Sequence, residues 1–326
     1  GKSNEYFYGA IDELSLYDKA LSAADVALLF NNQVYGEALS DEDYIFAGAG
    51  NDHITTYSAN DEVSAGSGED NISAGMGDDL VNGGEGDDYL DGGYGADRLY
   101  GEEGNDFLIT GADNSDNLLS GGEGHDNIVT FSGNNVIDGG TGSDKITAGF
   151  GNDIIYGNSG FDHITSGAGS DIVYGGTNDD VIDGGDGNDH LMGDSGDDQL
   201  LGSSGNDLLE GGSGDDILNG GLDADWLVGA AGDDILIGGA GNDTLSGGEG
   251  ADAYIYNLGD GYDQVALGGD LGIVSDSLDV IRFGEGIAKA DLVFSQKGDD
   301  LTITFSDYEG GLLLKGQFVN STIATL

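Results

Sequence analysis

The chain has 326 residues with no cysteine and no proline, and its 63 acidic against 8 basic residues give a formal net charge of -55. Nucleic acid and anionic membrane surfaces are excluded as partners, because both are bound through basic patches. The missing cysteines exclude disulfide bonds and thiolate metal sites. So acidic a chain is expected to bind cations, and its composition alone would favour disorder.

The first 44 residues contain no repeat. Residues 5–31 predict a strand, a turn and an amphipathic helix, for which Ser22 is a suitable N-cap. The run Gly9–Ser22 resembles the end of a laminin-G or concanavalin-like lectin domain. Two interpretations remain open: these residues are the end of a truncated domain, or they cap the first coil of a solenoid. The sequence contains no run of 18 apolar residues, so we expect no membrane insertion.

A nine-residue repeat follows this segment. Asp stands at every ninth position between residues 52 and 106, and two ten-residue steps come next, the first of them to Asp116. The nine-residue spacing then continues to Asp252, with Asn135 as the one exception in residue type. An apolar side chain follows each of these 23 positions by two residues, which assigns Leu118 to the interior. Disorder does not keep such a register, so the repeat predicts a solenoid.

Glycine precedes most of the repeat positions by two residues. It does so in 19 of the 23 cases, because tight turns need positive φ angles that glycine adopts at little cost. The exceptions are Ala59, Asn114, Asn178 and Asp223, and three of these four are residue types that tolerate a left-handed backbone. The full consensus is G-G-x-G-x-D-x-U-x, where U is a large aliphatic residue, and residues 238–246 show it complete.

This consensus resembles the calcium-binding nonapeptide repeat of the repeats-in-toxin family, the hemolysin-type calcium-binding repeat, over residues 46–254. The resemblance implies an all-β fold, a right-handed parallel β-roll with two nonapeptides in each coil. Each nonapeptide is expected to form a tight turn and a three-residue strand whose U side chain points inward. Stacked coils would place Asp70 over Asp88 on one edge and Asp79 over Asp97 on the other.

The stacked carboxylates are the candidate metal ligands. Two such charges in adjacent coils repel by roughly 1 kcal/mol in water and by about 3 to 4 kcal/mol at an effective dielectric constant near 20. A divalent cation bound by carboxylates of two coils and by turn carbonyls would remove this repulsion. Ca²⁺ suits such oxygen ligands better than Zn²⁺ or Mg²⁺. The predicted ligands are Asp52, Asp70, Asp79, Asp88, Asp97, Asp106, Asp126, Asp144, Asp153, Asp162, Asp171, Asp180, Asp189, Asp198, Asp207, Asp216, Asp225, Asp234, Asp243 and Asp252.

The calcium ions are expected to number on the order of 15 to 20, because one ion between each pair of stacked loops gives about 21 at most. Weak or empty sites are expected where the pattern fails, at Tyr57–Asp61, Ala112–Asp116 and Asn135. The best run of sites is expected between Asp144 and Asp252. The four histidines are scattered in the sequence and receive no role.

Beyond residue 254 the period is lost. A hairpin turn is predicted at Lys297–Asp299, between the second and third of four strands: Asp279–Phe283, Leu292–Ser295, Leu301–Phe305 and Leu312–Phe318. The resemblance implies that this tail caps the roll and that Asp260 and Asp263 are further calcium ligands. It also makes the ending Ser321–Leu326 compatible with an uncleaved type I secretion signal.

These features predict three segments: residues 1–44 as lectin-like remnant or cap, 45–254 as the β-roll, and 255–326 as the C-terminal cap. We expect a monomeric secreted or cell-surface module that is unfolded at low calcium and folds outside the cell, supporting type I secretion of a large adhesin. The alternative is the C-terminal roll of a secreted hydrolase (protease, lipase or polysaccharide-active enzyme). We expect no enzyme activity in this chain, which has neither H-E-x-x-H nor G-x-S-x-G.

Overall fold

Short β-strands make up most of the molecule. The computed structural model describes residues 42–266 and 279–316, and outside them the backbone of two strands, Ser15–Leu16 and Val34–Tyr35. Within this part of the chain, no helix has the length and apolar character needed to cross a membrane. Three predictions lie outside the described residues: the helix after Ser22, the lectin-like run Gly9–Ser22 and the ending Ser321–Leu326.

The first of two compact units, residues 1–159, is a stack of parallel coils. Strands 18 residues apart pair in register, for example Ile54 with Ile72, and successive strands alternate between two sheets. Two N-terminal strands join the first coil, one antiparallel and one parallel. The strands are β1 (Ser15–Leu16), β2 (Val34–Tyr35), β3 (Tyr44–Ala49), β4 (His53–Thr55), β5 (Glu62–Ser67), β6 (Asn71–Ser73), β7 (Leu80–Glu85), β8 (Tyr89–Asp91), β9 (Arg98–Glu103), β10 (Phe107–Ile109), β11 (Leu118–Glu123), β12 (Asn127–Val129), β13 (Val136–Thr141), β14 (Lys145–Thr147) and β15 (Ile154–Ser159).

The second unit, residues 160–326, has the same coil architecture and ends in a hairpin. Its strands are β16 (His163–Ala168), β17 (Ile172–Thr177), β18 (Val181–Asp186), β19 (His190–Ser195), β20 (Gln199–Ser204), β21 (Leu208–Ser213), β22 (Ile217–Leu222), β23 (Trp226–Ala231), β24 (Ile235–Ala240), β25 (Thr244–Glu249), β26 (Ala253–Tyr256), β27 (Tyr262–Ala266), β28 (Val280–Phe283), β29 (Leu292–Lys297), β30 (Asp300–Phe305) and β31 (Gly311–Lys315). A short 3₁₀ helix spans Lys289–Asp291. The predicted all-β fold, a parallel β-solenoid with two nonapeptides per coil, is confirmed.

The predicted tail strands are also confirmed. β29 and β30 pair antiparallel around the expected turn, with Lys297 opposite Asp300. β30 pairs with β31, and β31 lies parallel to β27, so that the hairpin extends one sheet of the roll. Residues 317–318 of the fourth predicted strand lie outside the described part of the chain.

Most strands are longer than the three residues predicted. Three-residue strands occur in one sheet of the first unit, β4 to β14 in even numbers, whereas most others have six. Pairing continues past the U residue into the glycines, as in Gly48 with Gly66. The N–H of Gly50 then donates to the carbonyl of Ser67 in the next coil at 2.7 Å. The turn glycines therefore both bend the chain and keep the backbone ladder.

The interior of each coil holds one large and one small side chain per nonapeptide. The large ones are the U residues, and Ile54, Leu90 and Leu108 are all 0% exposed. The small ones follow two residues later and are Gly, Ala, Ser or Thr, for example Ala65 and Ser166. Burial of each Leu or Ile contributes roughly 1.5–3 kcal/mol relative to exposure. Repetition of this pair gives each unit a continuous apolar column.

The predicted register is wrong between residues 106 and 126. Leu119 rather than Leu118 is fully buried, and Asn117 rather than Asp116 takes the turn position that Asp holds elsewhere. The loop between Asp106 and Asn117 contains both extra residues, and the side chain of Asp113 supplies hydrogen bonds that stabilise it. Its carboxylate accepts the N–H of Gly95 at 2.8 Å and the hydroxyl of Ser115 at 3.0 Å.

Three of the four turn residues that replace glycine have a left-handed backbone. Ala59, Asn178 and Asp223 have φ of 93°, 77° and 75°, the left-handed conformation expected where they replace glycine. Neither Asn114 nor Ser115, which lies two residues before the true turn position Asn117, has a positive φ, so the enlarged loop turns without a left-handed residue there.

The corrected register can be tested by two alanine substitutions. Leu119→Ala removes a fully buried side chain and is expected to destabilise the protein by about 2–5 kcal/mol. Leu118→Ala removes an equal side chain from the outer face, and a change of about 0.5 kcal/mol is expected. Urea unfolding at saturating calcium measures both, and the reverse order of effects would restore the register read from the sequence.

Candidate metal centre

The turn aspartates form columns along both edges of each unit. In each column, Oδ1 accepts a hydrogen bond from the backbone N–H of the turn residue one coil earlier, over 2.7 Å from Asp52 to Asp70 and 3.0 Å from Asp79 to Asp97. The stacking of Asp70 with Asp88 and of Asp79 with Asp97 is confirmed. In the first unit the columns are Asp43, Asp61, Asp79, Asp97, Asn117, Asn135 and Asp153 on edge one and Asp52, Asp70, Asp88, Asp106, Asp126 and Asp144 on edge two.

The second unit carries the same two columns. Its contacts range from 2.7 Å between Asp180 and Asp198 to 3.2 Å between Asp252 and Asp279. Edge one holds Asp171, Asp189, Asp207, Asp225, Asp243 and Asp263, and edge two holds Asp162, Asp180, Asp198, Asp216, Asp234, Asp252 and Asp279.

The second carboxylate oxygen is the unusual feature of these columns. Burying an oxygen acceptor without a partner costs about 1–3 kcal/mol, and more when the group is charged. In 17 of the aspartates Oδ2 is buried and no N–H or O–H of the protein donates to it: Asp52, Asp61, Asp70, Asp79, Asp88, Asp97, Asp106, Asp126, Asp180, Asp189, Asp198, Asp207, Asp216, Asp225, Asp234, Asp243 and Asp252.

The first glycine of the repeat makes room for this oxygen. A Cβ at Gly184 would lie 2.6 Å from Oδ2 of Asp189 and 3.2 Å from the carbonyl oxygen of Gly202 in the next coil. The corresponding distances at Gly175 are 2.7 Å to Oδ2 of Asp180 and 3.0 Å to the Gly193 carbonyl. Carboxylate and carbonyl oxygens of two coils thus face one small space, which contains hydrogen-bond acceptors and no donors.

Burial makes these carboxylates hard to ionise. Desolvation, reinforced by the charges of Asp162 and Asp198, raises the pKa of Asp180 to about 8. Desolvation and the charge of Asp243 do the same for Asp263, whose pKa is also about 8. The backbone N–H bound to each Oδ1 lowers the pKa by a smaller amount. Full charge of Asp180 and Asp263 at neutral pH therefore requires a positive partner.

The donor set fits a hard divalent cation. The chain has no cysteine, and of its histidines His125 accepts the N–H of Ser143 while His190 lies 3.6 Å from Glu210. In the described residues no three His, Asp or Glu side chains converge as a metal site would require. Backbone carbonyls must therefore complete any ligand set, and oxygen-only sites of high coordination number suit Ca²⁺.

Comparison with known proteins decides the family. The profile of the RTX calcium-binding nonapeptide repeat matches residues 37–115 and 129–265 in overlapping segments. The chain belongs to this family. RTX repeats bind Ca²⁺, so the chain contains a calcium-binding β-roll, and the family resemblance inferred from the consensus is confirmed.

No curated protein sequence matches the chain. Among solved structures, the extracellular lipase LipA from Serratia marcescens is similar at 22% identity with a TM-score of 0.20. The match covers 57% of this chain and 38% of the lipase chain.

The structure adds members to the RTX columns that the repeat count missed. Asp43 precedes the first predicted ligand by nine residues, and its N–H donates to Oδ1 of Asp61. Asp263 and Asp279 continue the two columns of the second unit beyond Asp252. Spacing could have revealed Asp43, but 27 residues separate Asp279 from Asp252. Asp260 lies outside the columns and accepts the N–H of Asn257.

A second, outer ladder was hidden among the variable residues. At many turns the residue just before the turn aspartate accepts, through its side chain, the backbone N–H of its counterpart in the next coil, whereas Ala96 and Ala224 only donate. Asp78 donates to Oδ1 of Asn60 at 2.9 Å, and Asp197 to Oδ1 of Asp179 at 3.0 Å. In this ladder even His125 acts as an acceptor, through Nδ1 at 2.7 Å from the Ser143 nitrogen. Frequent Asn, Asp and Ser at these positions were the available signal.

The raised pKa values predict how the metal-free roll responds to pH. Between the ordinary value near 3.8 and the folded value near 8 for Asp180, the folded state binds more protons than the unfolded state. Stability of the metal-free fold therefore falls as pH rises through this window and is greatest below it. In chelator, lowering the pH from about 8 to about 5 should increase the β signal in circular dichroism. A signal that is unchanged, or larger at the higher pH, would contradict this.

Proposed function

We propose that the chain is a calcium-triggered folding module of a secreted protein and that the turn aspartates are its calcium ligands. The observation that carries the proposal is the set of buried Oδ2 atoms that no protein group satisfies. Carbonyl oxygens of the next coil border the same spaces. A cation in these spaces would satisfy both kinds of oxygen and offset the repulsion between stacked charges.

The proposed ligands are the 20 aspartates named from the sequence, together with Asp43, Asp61, Asp263 and Asp279, which continue the same columns. Of these four, Asp61 and Asp263 are buried, and Asp43 and Asp279 are half-buried. The regular spacing supports on the order of 15 to 20 ions. Their roughly 30 to 40 positive charges offset most of the formal charge of -55. Asp61 has the same hydrogen bond as its neighbours although its turn lacks the consensus glycines, so its weakness as a site remains a prediction.

The aspartate columns make folding of the chain depend on the calcium concentration. Without ions the columns cannot be buried in charged form, so the chain remains unfolded in the cytosol, where calcium is low. Extracellular modules bind calcium with dissociation constants of about 10⁻⁴–10⁻³ M, so the chain folds outside the cell. Binding free energy is then folding free energy. An unfolded chain suits passage through a type I secretion machine, and a folded roll cannot return.

The parent protein is proposed to be a large adhesin, on the basis of the lectin-like run Gly9–Ser22. In that setting the roll acts as a monomeric structural element and gives the exported protein extracellular stability. A secreted hydrolase with its catalytic domain outside this chain is the other candidate parent. A catalytic domain elsewhere in the whole protein would favour the hydrolase, and adhesive domains would favour the adhesin.

Calcium titration of the purified chain tests the ligands. Circular dichroism should show disorder in chelator and a cooperative gain of β signal near millimolar calcium, with little response to Mg²⁺. Asp180→Ala removes a buried column carboxylate and should shift the midpoint severalfold upward, because losing one ion at a hundredfold excess over its Kd costs about 2.7 kcal/mol.

The matched control is Asp179→Asn, which makes the same charge change one residue away. Asp179 is exposed, and an amide oxygen can still accept the N–H of Asp197. The midpoint of this variant should stay near that of the wild type. Equal shifts in both variants would show that net charge, rather than ligation, governs folding.

Export tests the secretion role separately. Replacement of the edge-two aspartates of the second unit by alanine should stall type I export, because the emerging chain can no longer fold on external calcium. Secreted and cell-associated protein are measured with the wild type as reference. Normal export of this variant would contradict the role in transport and leave calcium binding itself intact.

A further inference from the structure

Two turn positions in the edge-one column of the first unit carry asparagine, whereas all other described positions of the columns carry aspartate. Asn117 and Asn135 occupy turn positions and are 4% and 1% exposed. Each keeps the column contact, since the N–H of Asp97 donates to Oδ1 of Asn117 at 2.9 Å and that of Asn117 to Oδ1 of Asn135 at 3.1 Å. The two are stacked in adjacent coils, between Asp97 and Asp153.

The amide nitrogens lie where the aspartates place Oδ2, and they have protein partners. Nδ2 of Asn117 donates to the carbonyl of Ser115 at 3.1 Å and to Oδ1 of Asn135 at 3.0 Å. Nδ2 of Asn135 donates to the carbonyl of Gly133 at 3.1 Å and to Oδ1 of Asp153 at 3.0 Å. Carbonyl oxygens can only accept, so the nitrogen must point toward them.

The residues around Asn117 and Asn135 also form hydrogen bonds that suit an amide nitrogen in place of a carboxylate oxygen. The small inward position before Asn135 is Thr130, whose hydroxyl oxygen lies 3.2 Å from Nδ2 of Asn135. The neighbouring loop closes through Asp113, and the backbone carbonyl of that residue accepts the hydroxyl of Ser132 at 2.6 Å. Hydroxyl donors reach turn carbonyls at Thr56 and Ser166 as well, but here side-chain amide N–H groups also donate to the turn carbonyls.

A calcium ion does not fit such a position. An amide nitrogen has two hydrogens and no lone pair for a metal, and it presents partial positive charge to the space. No carboxylate of this column has another carboxylate beside it between Asp97 and Asp153, so the repulsion that an ion would offset is also missing. Hydrogen bonds and ions are alternative ways of closing the same turn.

We infer that Asn117 and Asn135 form a calcium-independent clasp that joins consecutive coils on edge one without an ion. The inference rests on the proposed function and refines it: the clasp interrupts the ion column of this edge. The clasped turns are ordered at lower calcium than turns held by aspartate alone. In the same coils, the edge-two column consists of Asp106, Asp126 and Asp144, and this column still requires ions.

Site-resolved hydrogen exchange on the wild-type chain gives a test that needs no variant. At calcium below the folding midpoint, the backbone amides of Asp97, Asn117 and Asn135 should exchange at least tenfold more slowly than those of Asp61 and Asp79. Equal protection of both sets would overturn the clasp. A chain whose amides do not respond to calcium at all would instead overturn the proposed function.

The double variant Asn117→Asp, Asn135→Asp gives the complementary test. It restores two carboxylates, so equilibrium dialysis at saturating calcium should find one or two more bound ions, and folding should depend more steeply on calcium. The control, Asn60→Asp with Asn188→Asp, adds the same charge at exposed outer-ladder positions and should bind the wild-type number. Equal ion numbers in variant and wild type would overturn the clasp, while calcium-dependent folding of the wild type would leave the proposed function standing.

Discussion

The fold depends on buried carboxylate oxygens that the protein does not satisfy by itself. Each coil brings a turn aspartate into a space lined by other oxygens, and the same space recurs coil after coil. A lone unsatisfied acceptor costs about 1–3 kcal/mol, so 17 of them together exceed the 5–15 kcal/mol stability of a typical domain. These oxygens therefore call for a positive partner, and RTX repeats bind calcium.

Backbone hydrogen bonds prepare the columns for that partner. Oδ1 of each aspartate is held by an N–H of the preceding coil, which fixes the side-chain rotamer and directs Oδ2 into the shared space. The outer ladder runs the opposite way, since its side chains accept from the following coil. Each turn is thus tied to both neighbours before any ion is considered. Preorganisation of this kind lowers the entropy lost when an ion binds.

The irregular loop before Asn117 shows how a solenoid absorbs an insertion. Two extra residues are accommodated in one turn, where Asp113 replaces the missing contacts, and the next strand returns to register with Leu119 inward. The RTX profile leaves residues 116–128 unmatched, next to this loop. The clasp of Asn117 and Asn135 lies in the same region. Departure from the consensus therefore coincides with a change in how the turn is closed.

The sequence by itself determined the period and the inward U residues, because both follow from positions that recur at fixed spacing. The coil of two nonapeptides, and with it the aspartates that stack, came from the resemblance to the RTX repeat. Even left-handed turns at Ala59, Asn178 and Asp223 could be placed from the spacing. The register around Leu119 could not, since Asp116 and Asn117 are adjacent and chemically alike, and only packing shows which of them faces the interior. The spacing also did not reveal which N–H binds each Oδ1, that Oδ2 is buried without a protein donor, or that an outer ladder exists. These arise between residues about 18 positions apart, when stacking brings a backbone N–H of one coil against a side chain of another.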